Sequence, residues 1–251
     1  MSYNVNFDSG TDGATVAVSG AVSAIAGTPV YENSPSAHGG MAARFSSGTV
    51  TTCIRCNTSP GTHTGSMYLF IEAENDTHIR LAAFGDTGNT ITQCNIRLKS
   101  GRTMTLADAA TVDKAIGSSV IPLNQWVRID YHFDISTPTA PVLTTRLFLT
   151  AEGTTYTEQL TWTFTGTTGT FGRVNFGISG SAAVTNRKVI LDTIRVTDGV
   201  ATWPAPFNPP APSSGAKIWN GTAEVAITKT LWNGTAEVAL TSKLWNGTAE
   251  I

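Results

Sequence analysis

The stretch Trp126-Val-Arg-Ile-Asp-Tyr-His-Phe133 decides the fold class. Val127, Ile129, Tyr131 and Phe133 fall on one side of an extended chain, and Trp126, Arg128, Asp130 and His132 on the other. This two-residue alternation is that of a half-buried strand. Met67-Tyr-Leu-Phe-Ile71 and His78-Ile-Arg-Leu81 precede it in the same style. Arg146-Leu-Phe-Leu149, Gln159-Leu-Thr-Trp-Thr-Phe164, Arg173-Val-Asn-Phe176 and Val189-Ile-Leu191 through Val196 follow. Turn clusters separate them: Gly85-Asp-Thr-Gly88, Ser136-Thr-Pro138 and Thr165-Gly-Thr-Thr-Gly169. Leu106 to Ile116 alone has a helical look and reads as a loop or a single turn. Many short strands with no intervening helix predict an all-β, two-sheet antiparallel jelly-roll sandwich.

Beyond Trp203 the pattern breaks. Pro204, Pro206, Pro209, Pro210 and Pro212 cannot donate ladder hydrogen bonds and favour a stiff, extended linker. Then Trp-Asn-Gly-Thr-Ala-Glu occurs three times, from Trp219, Trp232 and Trp245, every 13 residues. Each copy reads as a small β-hairpin turning at Asn220-Gly221, Asn233-Gly234 or Asn246-Gly247, because Asn-Gly suits a two-residue type I′ turn. Such a unit cannot bury its own apolar face and must lean on another copy, the rest of the chain or another subunit. The expected organisation is a jelly-roll domain over 1–203, a Pro-rich linker over 204–215 and a repeat tail for assembly over 216–251.

Composition narrows the setting. Charged residues make up 14% of the chain, against about 25% in ordinary soluble proteins. Thr, Gly, Ser and Ala fill the gap, as suits an extracellular or virion β protein. A net charge of −2 gives no electrostatic case for nucleic acid or an anionic membrane surface. No apolar run approaches the ~20 residues of a membrane span, and Met1-Ser2-Tyr3-Asn4-Val5 has neither the basic nor the apolar region of a signal peptide. Three cysteines, Cys53, Cys56 and Cys94, do not make a disulfide framework. Cys53 and Cys56 have metal-knuckle spacing but lie in a strand-like segment, where residues three apart face opposite sides. Buried, inert thiols are the expectation; a Cys94 bridge or a metal site is the alternative.

Several segments carry a family likeness: Phe7-Asp-Ser-Gly-Thr-Asp-Gly13, Thr28-Pro-Val-Tyr31, Pro35-Ser-Ala-His-Gly-Gly-Met-Ala-Ala-Arg-Phe45, Asn124-Gln-Trp-Val-Arg-Ile129, Arg173-Val-Asn-Phe-Gly177 and Val189-Ile-Leu-Asp-Thr-Ile-Arg-Val196. Their order resembles the concanavalin A-like (laminin G-like) jelly-roll modules of actinobacterial secreted proteins and of minor tail proteins of their phages. The Trp-led repeats resemble those that follow such modules in the phage proteins. The resemblance implies two antiparallel sheets, glycan or protein binding, and often a structural calcium.

Candidate site residues are few. Asp192 shares a strand face with Ile190, Ile194 and Val196 on simple alternation, and a carboxylate there must pair or bind a cation. If the terminal strands pair, Asp8 approaches it, and the two could help hold calcium, which takes six to eight oxygens. The other possibility is that Asp192 pairs with an arginine or faces outward. Trp126, Arg128, Asp130 and His132 form a polar strand face suited to glycan, with Trp126 either an exposed platform or packed beneath a loop. Glu72, Glu74 and Asp76 alternate as in jelly-roll glycan hydrolases, but they run into a turn instead of the pair about 5–5.5 Å apart that retaining chemistry needs. His38, His63 and His78 show no ligand spacing.

The expected function is therefore that of a non-enzymatic bacteriophage virion protein, a minor tail protein or adhesin. It displays a lectin-like domain to host cell-surface glycan, and its tail joins other virion proteins or further copies, with a homotrimer favoured. A capsid decoration or head-fibre protein and a jelly-roll glycan hydrolase are the alternatives.

Overall fold

The computed structural model describes residues 2–20, 22–38, 40–46, 51–58, 61–73, 78–86, 92–137, 139–164, 171–179, 188–199 and 202–206, with four short strands beyond them. The chain divides into two units, Met1–Phe207 and Asn208–Ile251.

The first unit is all β. One sheet runs β13 (Glu158–Thr163), β12 (Val142–Phe148), β11 (Trp126–Asp134), β6 (His63–Ile71), β15 (Lys188–Asp198), β4 (Ala42–Ser46) and β3 (Val30–Glu32), and β1 (Ser2–Val5) also pairs with β15. The second runs β10 (Asp113–Val120), β9 (Thr103–Asp108), β8 (Thr92–Leu98), β7 (Ile79–Asp86), β14 (Phe171–Ser179), β5 (Thr52–Asn57) and β2 (Val22–Ala26). The pairings are antiparallel, as in a jelly-roll sandwich.

The β11 alternation has the predicted consequence. Val127, Ile129, Tyr131 and Phe133 are wholly buried between the sheets, facing Phe84, Phe171 and Phe176 of the second. Each such side chain contributes roughly 1.5–3 kcal/mol on leaving water. Phe133 meets Phe171 edge-on at 4.6 Å, and Phe84 lies 5.1 Å from Tyr131. Gly65 on β6 lets this layer close, since a Cβ there would stand 2.4 Å from the Tyr131 ring and 2.5 Å from the Arg195 carbonyl.

His63 lies in the same aromatic layer, 5.4 Å from Phe133. Burial, opposed by the Gly61 carbonyl, holds its pKa down to about 4. The folded protein thus keeps a neutral ring that the unfolded chain protonates near 6.5. This contribution is complete above pH 6.5 and is lost as pH falls towards about 4. The urea midpoint is expected to fall across that window, and His63→Leu to flatten the fall; equal slopes in both proteins would contradict the assignment.

Two expectations change. Leu106 to Ile116 is not a helical turn: β9 and β10 pair across it, Asp113 with Ala107 and Ala115 with Leu106. Met104 and Leu106 point into the core there, so the helical look was strand alternation. In β15, register against β6 shifts between Asp192 and Arg195, and Thr193 takes φ +43°. This bulge reverses the alternation. Ile194 and Val196 enter the core, while Ile190 packs outside with Ala42 and Phe70, so Asp192 does not share a face with Ile194 and Val196. In the second unit, β16 (Lys217–Trp219) pairs with β17 (Glu224–Ala226), and β18 (Leu231–Trp232) with β19 (Glu237–Val238). Trp219 stands opposite Glu224, and Trp232 opposite Glu237. Asn220, Gly221, Asn233, Gly234, Trp245, Asn246 and Gly247 lie outside the described residues.

Terminal strands do pair, Tyr3 opposite Val196. Cys53, Cys56 and Cys94 are buried free thiols. Burial pushes the Cys56 pKa up to about 12, which leaves it unreactive.

Candidate functional site on the outer faces of the sandwich

Eight strand arginines point away from the core because their sequence neighbours point into it. Arg44, Arg128, Arg146 and Arg195 belong to the first sheet; Arg55, Arg80, Arg97 and Arg173 belong to the second. What each set meets separates the two faces.

On the first sheet the chain covers its own arginines. Arg44 Nε lies 2.6 Å from Glu32 and its Nη2 lies 3.1 Å from Glu72, which removes Glu72 as a free carboxylate. Arg128 stacks 3.8 Å from the Phe148 ring, binds Asp130 at 3.0 Å, and donates to the carbonyls of Ala151 and Gly153. Both members of the Arg128–Asp130 pair are 1% exposed. Burial pushes the Asp130 carboxyl up to about 6, against the pull of Arg128 and then of Arg195 and Arg146. Arg146 stacks 3.8 Å from the Trp203 ring, His132 lies 6.1 Å from it, and Arg195 donates to the Ala205 carbonyl at 3.0 Å. Trp126 packs on Phe70, Ile190 and Ala42. Of the glycan platform expected on β11, Arg128 and Asp130 are thus enclosed by residues 151–153, and Trp126 is a packing residue.

Asp192 and Asp8 fasten one loop from two directions. Asp192 Oδ2 accepts from Ser36 Oγ, Ala37 N and His38 N at 3.2, 2.9 and 3.4 Å, while its Oδ1 accepts from Thr193 N at 2.7 Å and Thr193 Oγ1 at 3.2 Å. Asp8 Oδ1 accepts from Met41 N at 3.3 Å and its Oδ2 from Asn6 at 3.0 Å. Carboxylate oxygens already facing N–H and O–H donors do not fit a calcium, which needs those oxygens for itself. Among the described residues, no group of three or more His, Cys, Asp or Glu is placed to hold a metal. His38 completes the fastening: Nδ1 lies 2.7 Å from Thr193 Oγ1 and Nε2 lies 2.6 Å from Glu152 Oε1.

The second sheet is different. One row crosses it as Arg55, Asn175, Ala83 and Asn95, each directly opposite the next on neighbouring strands. Arg173 stands two residues from Asn175 and opposite Gly85, and Arg80 stands opposite Arg97. Small side chains on β7 thus form a floor between arginines and amides. Arg97 binds Asp113 at 3.0 Å, and Asn95 donates to the Asp108 carbonyl at 3.0 Å. Arg55 Nε, Arg173 Nε and Nη1, Asn175 Oδ1 and Asn95 Oδ1 are buried and find no hydrogen-bond partner among the described residues. Buried polar atoms are nearly always paired, so this face holds both donors and acceptors that a ligand could satisfy. Sequence reading missed it. Its trace was arginine bracketed by apolar residues in Ile54-Arg-Cys56, Ile79-Arg-Leu81 and Ile96-Arg-Leu98.

No protein-family model matches the chain, and no curated protein matches it. Solved structures do match in fold. The cellulose-induced protein Cip1 is similar with a TM-score of 0.54 at 13% identity, over 78% of this chain and 96% of its own. Alginate lyase Aly36B is similar with a TM-score of 0.52 at 10% identity, over 78% and 96%. The endo-β-1,4-glucuronan lyase of the fungus Trichoderma reesei has a TM-score of 0.49 at 9% identity, over 70% and 91%. The expectation of a protein without enzymatic activity is corrected by these matches. Aly36B is named as a lyase and shares the fold, so the sandwich and its composition are no argument against catalysis.

Proposed function

We propose that the protein is carbohydrate-active and takes a polysaccharide chain along the outer face of its second sheet. One observation carries this. The row Arg55, Asn175, Ala83, Asn95 sets a guanidinium nitrogen and amide oxygens, without partners among the described residues, beside a low floor, the mixture of donors and acceptors that sugar hydroxyls require. The fold is shared with an alginate lyase, and the opposite face is occupied by the protein's own residues 36–38, 151–153 and 203–205. Within the same proposal, the Trp-led hairpins of the tail fix the sandwich to further copies in a virion, so that weak single sites act together.

Affinity electrophoresis through gels containing a panel of polysaccharides, with release of reducing ends as a second readout, tests it. Retardation by at least one polymer is expected, weakened about tenfold in Asn175→Ala. Free migration through every gel, without product release, rejects the proposal.

A further inference from the structure

We infer that the polysaccharide carries carboxylates, and that two arginine pairs on the second sheet read them; this rests on the proposed sugar-binding face. In one pair Arg55 adjoins Arg173, and in the other Arg80 faces Arg97 directly across β7 and β8. Each pair has the same build. One member is nearly buried, Arg173 at 2% and Arg97 at 8% exposure, and its companion is half-buried and reaches solvent. Like charges placed side by side on a sheet destabilise it. Burial, and then the neighbouring cation, lowers the pKa of both Arg80 and Arg173.

The protein supplies little to offset this. Asp113 is shared among Arg97 at 3.0 Å, Lys99 at 3.2 Å and His78 at 3.6 Å. Asp86 favours the charge on Arg173 only at longer range. Among the described residues, Arg55, Arg80 and Arg173 meet no carboxylate within 4.0 Å, whereas each first-sheet arginine meets a carboxylate, an amide or carbonyl oxygen, or an aromatic ring. A net charge of −2 hides this local excess of cations.

Guanidinium and carboxylate are planar and match in two parallel hydrogen bonds. The pairs stand at opposite ends of the floor. Arg173 is opposite Gly85, and Arg80 lies beyond a bulge further back along β7, a span of four regular strand positions or about 14 Å at the rise of an extended strand. Two point anions would not bridge that gap; a chain of acidic sugars does, with its hydroxyls over Asn175 and Asn95.

The test uses the full chain and the double variant Arg55→Gln/Arg80→Gln, which relieves like-charge repulsion at half-buried positions and should not lower the melting temperature. Retardation is compared in gels containing polygalacturonate, neutral hydroxyethyl cellulose or dextran sulfate, at low and high salt. Polygalacturonate is expected to retard the protein most, with apparent affinity down at least tenfold in the double variant and falling with salt. Equal retardation by the neutral polymer would remove the charge reading and leave the sugar-binding face standing. Equal retardation by dextran sulfate would remove the carboxylate assignment. Unchanged polygalacturonate binding in the double variant would remove the arginine pairs, and no retardation by any polymer would remove the sugar-binding face as well.

Discussion

Arg128→Met is expected to lower stability by about 3–5 kcal/mol, because it leaves a buried carboxylate without its cation. Arg128 and Asp130 are each 1% exposed, and the guanidinium also ties residues 151 and 153 to the sheet. Methionine fills much of the volume against Phe148 but supplies none of those donors. The second substitution Asp130→Leu should recover most of the loss, because the costly species is the stranded charge. Acid should help the single variant for the same reason. Asp130 has a folded pKa raised to about 6 from 3.8. A raised carboxyl pKa contributes to stability below the unfolded value, and the contribution is lost as pH rises through the folded value. Without Arg128 the pKa rises further, so the deficit against the parent should narrow between pH 7 and pH 5. Urea unfolding at the two pH values measures this. A deficit that is constant with pH, or below about 1 kcal/mol, would contradict the role given to the pair.

Asp192→Ala is expected to cost about 3 kcal/mol. Two carboxylate oxygens there collect five donors, three of them backbone N–H groups. Leaving a buried donor unmade costs roughly 1–3 kcal/mol, and relaxation of the loop recovers some of the sum. For a domain of this size the loss corresponds to roughly 6–12 °C in melting temperature. Asp192→Asn keeps one acceptor oxygen and should lose about half as much. The variant should also be cut faster by protease between residues 33 and 41. A melting temperature within 2–4 °C of the parent would mean that the loop is held by other contacts.

Much of the fold was legible because two-residue alternation is a local property. Val127 to Phe133 announced their strand, and the absence of helical spacing announced the class. Asp192 was misplaced because a bulge adds a residue whose presence depends on the strands at either side, β6 on one edge and β4 and β1 on the other, and none of them is visible from 188–198 alone. Arg128 and Asp130 looked like a surface because alternation shows which way a side chain points but not what lies over it. The covering residues 151–153 arrive from a turn more than twenty positions away. The arginines of the second sheet were hidden for a related reason. Ile79-Arg-Leu81 and Val127-Arg-Ile129 have one pattern, yet among the described residues the first meets no carboxylate and the second is enclosed. Strand order alone separates them.

Strand β15 is flanked on one edge by two strands in succession, β4 along Leu191 to Lys188 and β1 along Ile194 to Thr197. Ser2 and Thr197 are therefore neighbours in space. During synthesis, β1 has no place to dock until β15 has left the ribosome. The growing polypeptide must carry an unfinished, sticky sheet edge through the synthesis of every strand between them, a hazard for self-association. A shortened chain ending before residue 188 would keep that edge open permanently.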